Sequence, residues 1–213
     1  MNQISEDLEK YIIEHTDKED DLLYELYRET HKKVLHPRML SGHLQGKLLE
    51  MITRMVNPQK VLEIGTYTGY SAICIAKGLD NSATLHTIEI NDELQQFIEH
   101  YLERSGFRNK INLHIGDALN IIGQLQDDYD LVFIDGDKRE YPEYFTACKK
   151  KLKPGGFIVA DNVLWGGKVT EANNHSDPQT EGIKKFNNMV SADPAFEKLI
   201  LPLRDGIMLI RKK

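Results

Sequence analysis

The stretch VLEIGTYTGYSA, residues 61–72, decides the fold. An apolar run, KVLEI over 60–64, breaks on Gly65 and passes through Gly69 into a helical pattern over 69–78. A strand that ends on glycine and turns straight into a helix opens a βα unit. Its backbone is free to approach a ligand at the carboxyl edge of the sheet. The spacing is E-x-G-x-x-x-G. It is neither the G-x-G-x-x-G of a dinucleotide fold nor a phosphate loop, since no Gly-Lys-Ser/Thr follows. A pyrophosphate is poorly served by this loop, whereas a smaller adenosine-type ligand fits.

Downstream the alternation continues. The runs TLHTIE (84–89), INLHI (111–115), YDLVFID (129–135) and GFIVAD (156–161) are separated by helical patterns near 91–105, 118–125 and 141–151. Val- and Ile-rich strands alternating with helices predict five parallel strands covered on both faces. The tail differs. FEKLILPL (196–203) and IMLIRKK (207–213) flank Arg204-Asp205-Gly206, the signal of an antiparallel hairpin on an Asp-Gly turn.

Upstream, three apolar stripes at helical spacing predict an N-terminal helical cap: Ile4, Leu8, Tyr11 and Ile12; Leu22, Leu23, Leu26 and Tyr27; then Leu44, Leu48, Leu49, Ile52, Met55 and Val56, ending before Asn57-Pro58. A loop, 36–42, joins the second and third. The expected fold is α/β, with a mainly parallel sheet closed by an antiparallel C-terminal hairpin. It is expected to form one domain over 1–213, with the cap at 1–57 and the ligand-binding core at 58–213.

Acids mark the strand ends. Glu63 closes the first strand and could meet a cationic group. Glu89 closes the second, where a carboxylate can accept both ribose hydroxyls. Asp117, after Ile115-Gly116, closes the third and could read an adenine edge, although a helix N-cap would also explain it. Asp135 closes VFIDGDK, and Asp161-Asn162 closes FIVADN, about one βαβ unit later. Two carboxylates and an amide oxygen form a hard, all-oxygen set suited to Mg²⁺, Mn²⁺ or Ca²⁺. No His or Cys stands near either element, which disfavours zinc. Lys138 lies three residues after Asp135, placed to take a proton from a hydroxyl.

The 213 residues include 33 acidic side chains and 27 Lys plus Arg, a formal charge of −6. This balance weighs against a dedicated nucleic-acid binder. No apolar run approaches the roughly 18–20 residues of a membrane span. The acidic start lacks the build of a signal peptide. Cys74 and Cys148 are unpatterned, so neither a disulfide scaffold nor a zinc finger is expected, and a cytoplasmic setting is.

Taken together, VLEIGTYTGYSA, Glu89, IGDAL, FIDGDK, ADNVLWGG and LPLRDGIMLIRK resemble the catechol and caffeoyl-CoA O-methyltransferases, from about residue 37 to the end. The resemblance implies a Rossmann-like, seven-stranded fold that uses S-adenosylmethionine. By matching position, Glu89 would bind the ribose and Asp117 the adenine, while Glu63, Gly65 and Ser71 would line the methionine end, with Asp135 also at the cofactor. Met39 and the loop to Gly46 would cover the cofactor and the acceptor. Asp135, Asp161 and Asn162 would hold Mg²⁺, and Lys138 would be the base. Relatives commonly show M-x-x-S-x-x-Q-G here, but this chain has Gly42 where that Ser stands.

The resemblance implies a small hydroxylated aromatic acceptor with vicinal oxygens, and a homodimer. Two alternatives stand beside it. One is a tRNA carrying 5-hydroxyuridine at the wobble position, for which the sequence offers His31-Lys32-Lys33 with His36 and Arg38, Lys149-Lys150-Lys151 with Lys153, and Arg211-Lys212-Lys213. The other is a binding module without catalysis. Trp165-Gly166-Gly167 is expected at the lip of the acceptor site, where an aromatic can stack on a planar substrate.

Overall fold

A computed structural model describes residues 5–171 and 177–213. Ile4 of the first stripe lies outside them. Seven strands form one sheet: β1 Lys60–Ile64, β2 Thr84–Glu89, β3 Ile111–Ile115, β4 Tyr129–Ile134, β5 Leu152–Ala160, β6 Phe196–Leu201 and β7 Ile207–Lys212. Their order is β3-β2-β1-β4-β5-β7-β6. The first five are parallel, and β7 runs antiparallel to both β5 and β6. The expected sheet and hairpin are both present.

Side-chain alternation sorts the strands into two cores. Val61, Leu131, Phe133 and Val159 face one side, packed with α2 (Asp21–Lys33), α3 (His43–Val56), α4 (Tyr70–Gly78) and α5 (Gln95–Arg104). Leu62, Ile64, Val132, Ile134 and Ile158 face the other, packed with α6 (Ala118–Gln124), α7 (Tyr141–Lys151) and α8 (Pro178–Ala192). Strands buried on both faces are what a parallel sheet requires. The second and third cap helices share the first of these cores through Leu23, Leu26 and Leu49. By contrast α1 (Glu6–Glu14) buries no residue, and Leu8 and Tyr11 of its stripe are exposed.

Two elements depart from expectation. Strand β5 begins at Leu152 rather than 156, because its pairing with β4 shifts between Tyr129↔Leu152 and Leu131↔Phe157 around Gly155-Gly156. Helix α8 was not expected, yet its signals are ordinary: Asp177 caps it by accepting from Thr180 N, Pro178 starts it, and Ile183, Phe186 and Val190 form its buried stripe.

Strand order reverses between β1 and β4, which opens a crevice at the carboxyl ends of the sheet. There the Asp135 amide donates to Ile64 O at 2.8 Å and the Gly65 amide to Ile88 O at 3.0 Å. Gly65 has φ +99, and a Cβ there would overlap the Asp135 carbonyl. Only glycine permits this closeness. No helix among the described residues is long and apolar enough to cross a membrane.

Candidate active site

The crevice holds a cavity of about 1070 Å³, lined from both sides of the switch point. From β1–β3 come Gly65, Ser71, Glu89 and Asp117; from β4–β5 come Asp135, Lys138, Asp161 and Asn162; Met39 closes it above. Thus ten of the eleven predicted positions meet at one place if Asp135 is counted once for each role, and Glu63 is the exception.

Glu63 is fully buried and absent from the cavity wall. Its register partner on β2 is Thr87, so the two side chains share a face, and Thr87 Oγ1 donates to Glu63 Oε2 at 2.5 Å. Thr87 in turn shares a 2.5 Å hydrogen bond with Thr66 Oγ1 of the glycine loop. Burial pushes the Glu63 carboxyl up to about 7, against the pull of the Ser71 and Thr87 hydroxyls. The expectation that Glu63 lines the methionine end is corrected: strand alternation turns it inward, beneath the loop.

Glu89 is 7% exposed and held by backbone. Its Oε2 accepts from Tyr67 N at 2.6 Å and its Oε1 from Asn91 N at 2.9 Å. Each oxygen keeps a lone pair for a ligand hydroxyl. Burial raises its pKa, opposed by these backbone donors. Tyr67 adopts φ +52 to present that amide, and its hydroxyl donates to Leu35 O at 2.9 Å, tying the loop to the cap. Asp117 faces the cavity and is also the N-cap of α6, accepting from Asn120 N at 2.8 Å. The N-cap reading of Asp117 holds, and its place on the cavity wall leaves a free oxygen toward a ligand.

Across the switch point the acids meet side chains. Lys138 is buried; its Nζ donates to Asp135 Oδ1 at 2.7 Å and to Tyr141 Oη at 2.9 Å. Tyr141, also fully buried, donates to Asp161 O at 3.0 Å, so one hydroxyl ties Lys138 to the end of β5. Helix α8 presses on this turn from behind: a Cβ on Gly182 would overlap the Lys138 carbonyl. Asp161 Oδ1 accepts from Asn162 N at 2.7 Å and Oδ2 from Gln45 Nε2 at 2.6 Å. Burial pushes the Asp135 carboxyl up to about 6; Lys138 pulls it down and the Asp161 charge pushes it up again. Asp135, Asp161 and the Asn162 amide, all on the cavity wall, offer a hard oxygen set whose chemistry fits a divalent cation. Among the described residues no group of three His, Cys, Asp or Glu side chains is placed to hold a metal ion.

Sequence reasoning met Gln45 only as the Gln of the M-x-x-S-x-x-Q-G pattern and singled out no role for Tyr67, Tyr141 or Arg204. Each is a polar residue in an otherwise ordinary helix or loop, and only tertiary contact reveals it. Trp165 lies at the cavity wall as expected, with φ +46 and a buried Nε1 that has no partner among the described residues.

Comparison with known proteins places this arrangement. A family model described as O-methyltransferase matches residues 13–213. The chain is 32% identical to a catechol O-methyltransferase of Niastella koreensis, covering 95% of this chain and 92% of that one. It is 31% identical to a probable caffeoyl-CoA O-methyltransferase 2 of Dictyostelium discoideum, over 99% and 93%. The O-methyltransferase TomG from Streptomyces achromogenes, solved in complex with S-adenosylmethionine, superposes with a TM-score of 0.91 at 30% identity, covering 97% and 96%. The possibility of a module without catalysis gives way: this chain belongs to the O-methyltransferase family, as a Rossmann-like enzyme of the S-adenosylmethionine-dependent class.

Proposed function

We propose that the enzyme methylates one of two adjacent hydroxyls on a small aromatic, of the catechol or caffeoyl type, with the help of a divalent cation. One observation carries this reading: Asp135, Asp161 and Asn162 line the same cavity as Lys138 and Glu89. S-adenosylmethionine, when bound, supplies a methyl group on a sulfonium. Asp135, Asp161 and Asn162 would hold the divalent cation, which would supply Lewis-acid chemistry that eases loss of the hydroxyl proton.

The chain's own residues do the rest. Glu89 accepts the ribose hydroxyls, Asp117 stands at the adenine, and Gly65 and Ser71 border the methionine end. Met39 covers the donor. Glu63 supports the glycine loop from below instead of touching the ligand. Lys138 Nζ, as the neutral amine, takes the acceptor proton while the oxygen attacks the methyl carbon in line; the C–O bond forms as the C–S bond breaks, and the donor leaves as the neutral thioether. Trp165 offers a flat apolar face to the acceptor ring. Alignment in such a site is worth about 7–11 kcal/mol, more than the roughly 10²–10⁴-fold of a general base.

Many cations of the basic clusters have partners within the protein, which lessens a phosphate-binding surface, whereas His36 and Arg38 line the cavity. Lys32 and Lys33 pair with Glu29, Lys149 with Asp193, Lys153 with Asp130 and Arg211 with Glu197. Lys151 donates to Leu125 O, and Lys212 to Lys149 O and Leu152 O. Methyl transfer to a catechol panel and to tRNA that carries 5-hydroxyuridine without its methyl group, each across a salt series, tests the assignment. The expected result is salt-insensitive catechol methylation. Transfer to tRNA that falls steeply with salt, by about 10³–10⁵ between 50 and 200 mM, would replace the small acceptor with RNA.

A further inference from the structure

Behind Asp161 runs a chain of contacts that the proposed mechanism does not use. Gln45, on α3, is 1% exposed. Its Nε2 donates to Asp161 Oδ2 at 2.6 Å, and its Oε1 accepts from Arg204 Nη1 at 2.8 Å. A guanidinium on one side and a carboxylate on the other leave the amide a single orientation, since only its nitrogen can donate and only its oxygen can accept. Arg204 also donates to the carbonyls of Ser41 and Leu40, in the loop that carries Met39. It does so from φ +49, a left-handed backbone that glycine adopts freely and arginine does not. A long cation held in that conformation, against the Gln45 amide and two cap-loop carbonyls, has a task there.

We infer that Gln45 and Arg204 are positioning residues: together they hold Asp161 in its metal-binding rotamer and tie the Met39 loop to the same carboxylate. Asp161 is gripped from two directions, by Asn162 N on Oδ1 and by Gln45 on Oδ2, and each oxygen retains a lone pair for a cation. Ligand carboxylates fixed by outer partners bind metal more tightly, typically by about 10–100-fold. Arg204 acts one step further out. It fixes the amide of Gln45, and its fork spans the cap loop and the β6–β7 hairpin, two elements joined here through side chains. Closure of the loop over the donor and readiness of the metal ligand therefore depend on one guanidinium.

This inference rests on Asp161 being a metal ligand, and the experiment separates the two. Mn²⁺ affinity is measured by the loss of the free-ion electron paramagnetic resonance signal, and S-adenosylmethionine affinity by calorimetry without metal, on the full chain. Gln45→Leu is expected to weaken Mn²⁺ binding by about 10–100-fold while leaving donor affinity in place. Arg204→Gly, which suits the left-handed backbone, is expected to weaken both, since the loop loses its tether. Arg204→Lys, keeping the charge without the fork, should restore neither fully. Asp161→Ala is the control. If it loses Mn²⁺ while Gln45→Leu and Arg204→Gly bind Mn²⁺ like the wild type, the positioning role is overturned and the metal site stands. If Asp161→Ala itself binds Mn²⁺ normally, the metal site fails and the inference with it. Should Gln45→Leu not fold, Arg204→Gly decides alone.

Discussion

Glu89 at the end of β2 and Asp161 just past β5 are both buried carboxylates on one cavity, yet different parts of the protein hold them. Glu89 is fixed by two backbone amides, those of Tyr67 and Asn91. Asp161 is fixed by its neighbour's amide and by a side chain from the distant α3. The donor half of the crevice is thus built locally, by the turns that end β1 and β2. The acceptor half is assembled from three separate parts of the chain: α3, the 135–141 turn and the β6–β7 hairpin. Backbone-built sites are pre-organised by the fold itself, whereas side-chain networks fail as a unit when one member is removed.

The largest expected break falls on the acceptor half. Asp135→Ala and Asp161→Ala should each abolish methyl transfer, read by donor-derived label in a catechol product. With Asp161→Ala the donor half should survive, S-adenosylmethionine still binding in calorimetry. Lys138→Ala should lower kcat by about 10²–10⁴-fold with donor affinity little changed. Collapse of donor binding would instead make Lys138 structural to the whole crevice. Glu89→Gln tests the other half. Losing charge-assisted hydrogen bonds, at about 1.5–3 kcal/mol, should weaken donor binding roughly 10–100-fold while kcat at saturating donor stays near wild type.

The smallest effect on turnover belongs to Glu63, whose consequence is for stability. Its folded pKa, about 7, stands above the ordinary 4.5. A raised acid contributes stability that is fully present below the unfolded pKa and is lost as pH rises through the folded one. The loss between pH 4.5 and 7 should reach about 3 kcal/mol. Glu63→Gln, neutral throughout, should lack this component. Melting curves from pH 4.5 to 8 check it: the wild type should lose stability relative to the variant as pH rises, and a constant difference would mean that Glu63 is not buried as an acid.

The same contrast explains what the sequence revealed. Strands β1 to β3 coincide with their apolar runs, and the acids at their ends were legible because each is a local punctuation of strand and turn. Glu63 was misplaced for a local reason too. Alternation along β1 turns it inward, toward Thr87. Asp135, Lys138, Asp161 and Asn162 were legible as residue types at strand ends. Their supports were not, since Gln45 and Arg204 are separated by 159 positions and meet only in the folded chain. Helix α8 went unread although Asp177-Pro178 and the Ile183, Phe186, Val190 stripe announced it.

The proposed requirement is for a divalent cation in the acceptor half and not in the donor half. Its most direct measurement is catechol methylation by the wild-type enzyme in excess EDTA, with and without Mg²⁺ restored, alongside calorimetric donor binding in EDTA. That requirement predicts no methylation in EDTA, recovery with Mg²⁺, and donor binding throughout. Full methylation in EDTA would contradict it.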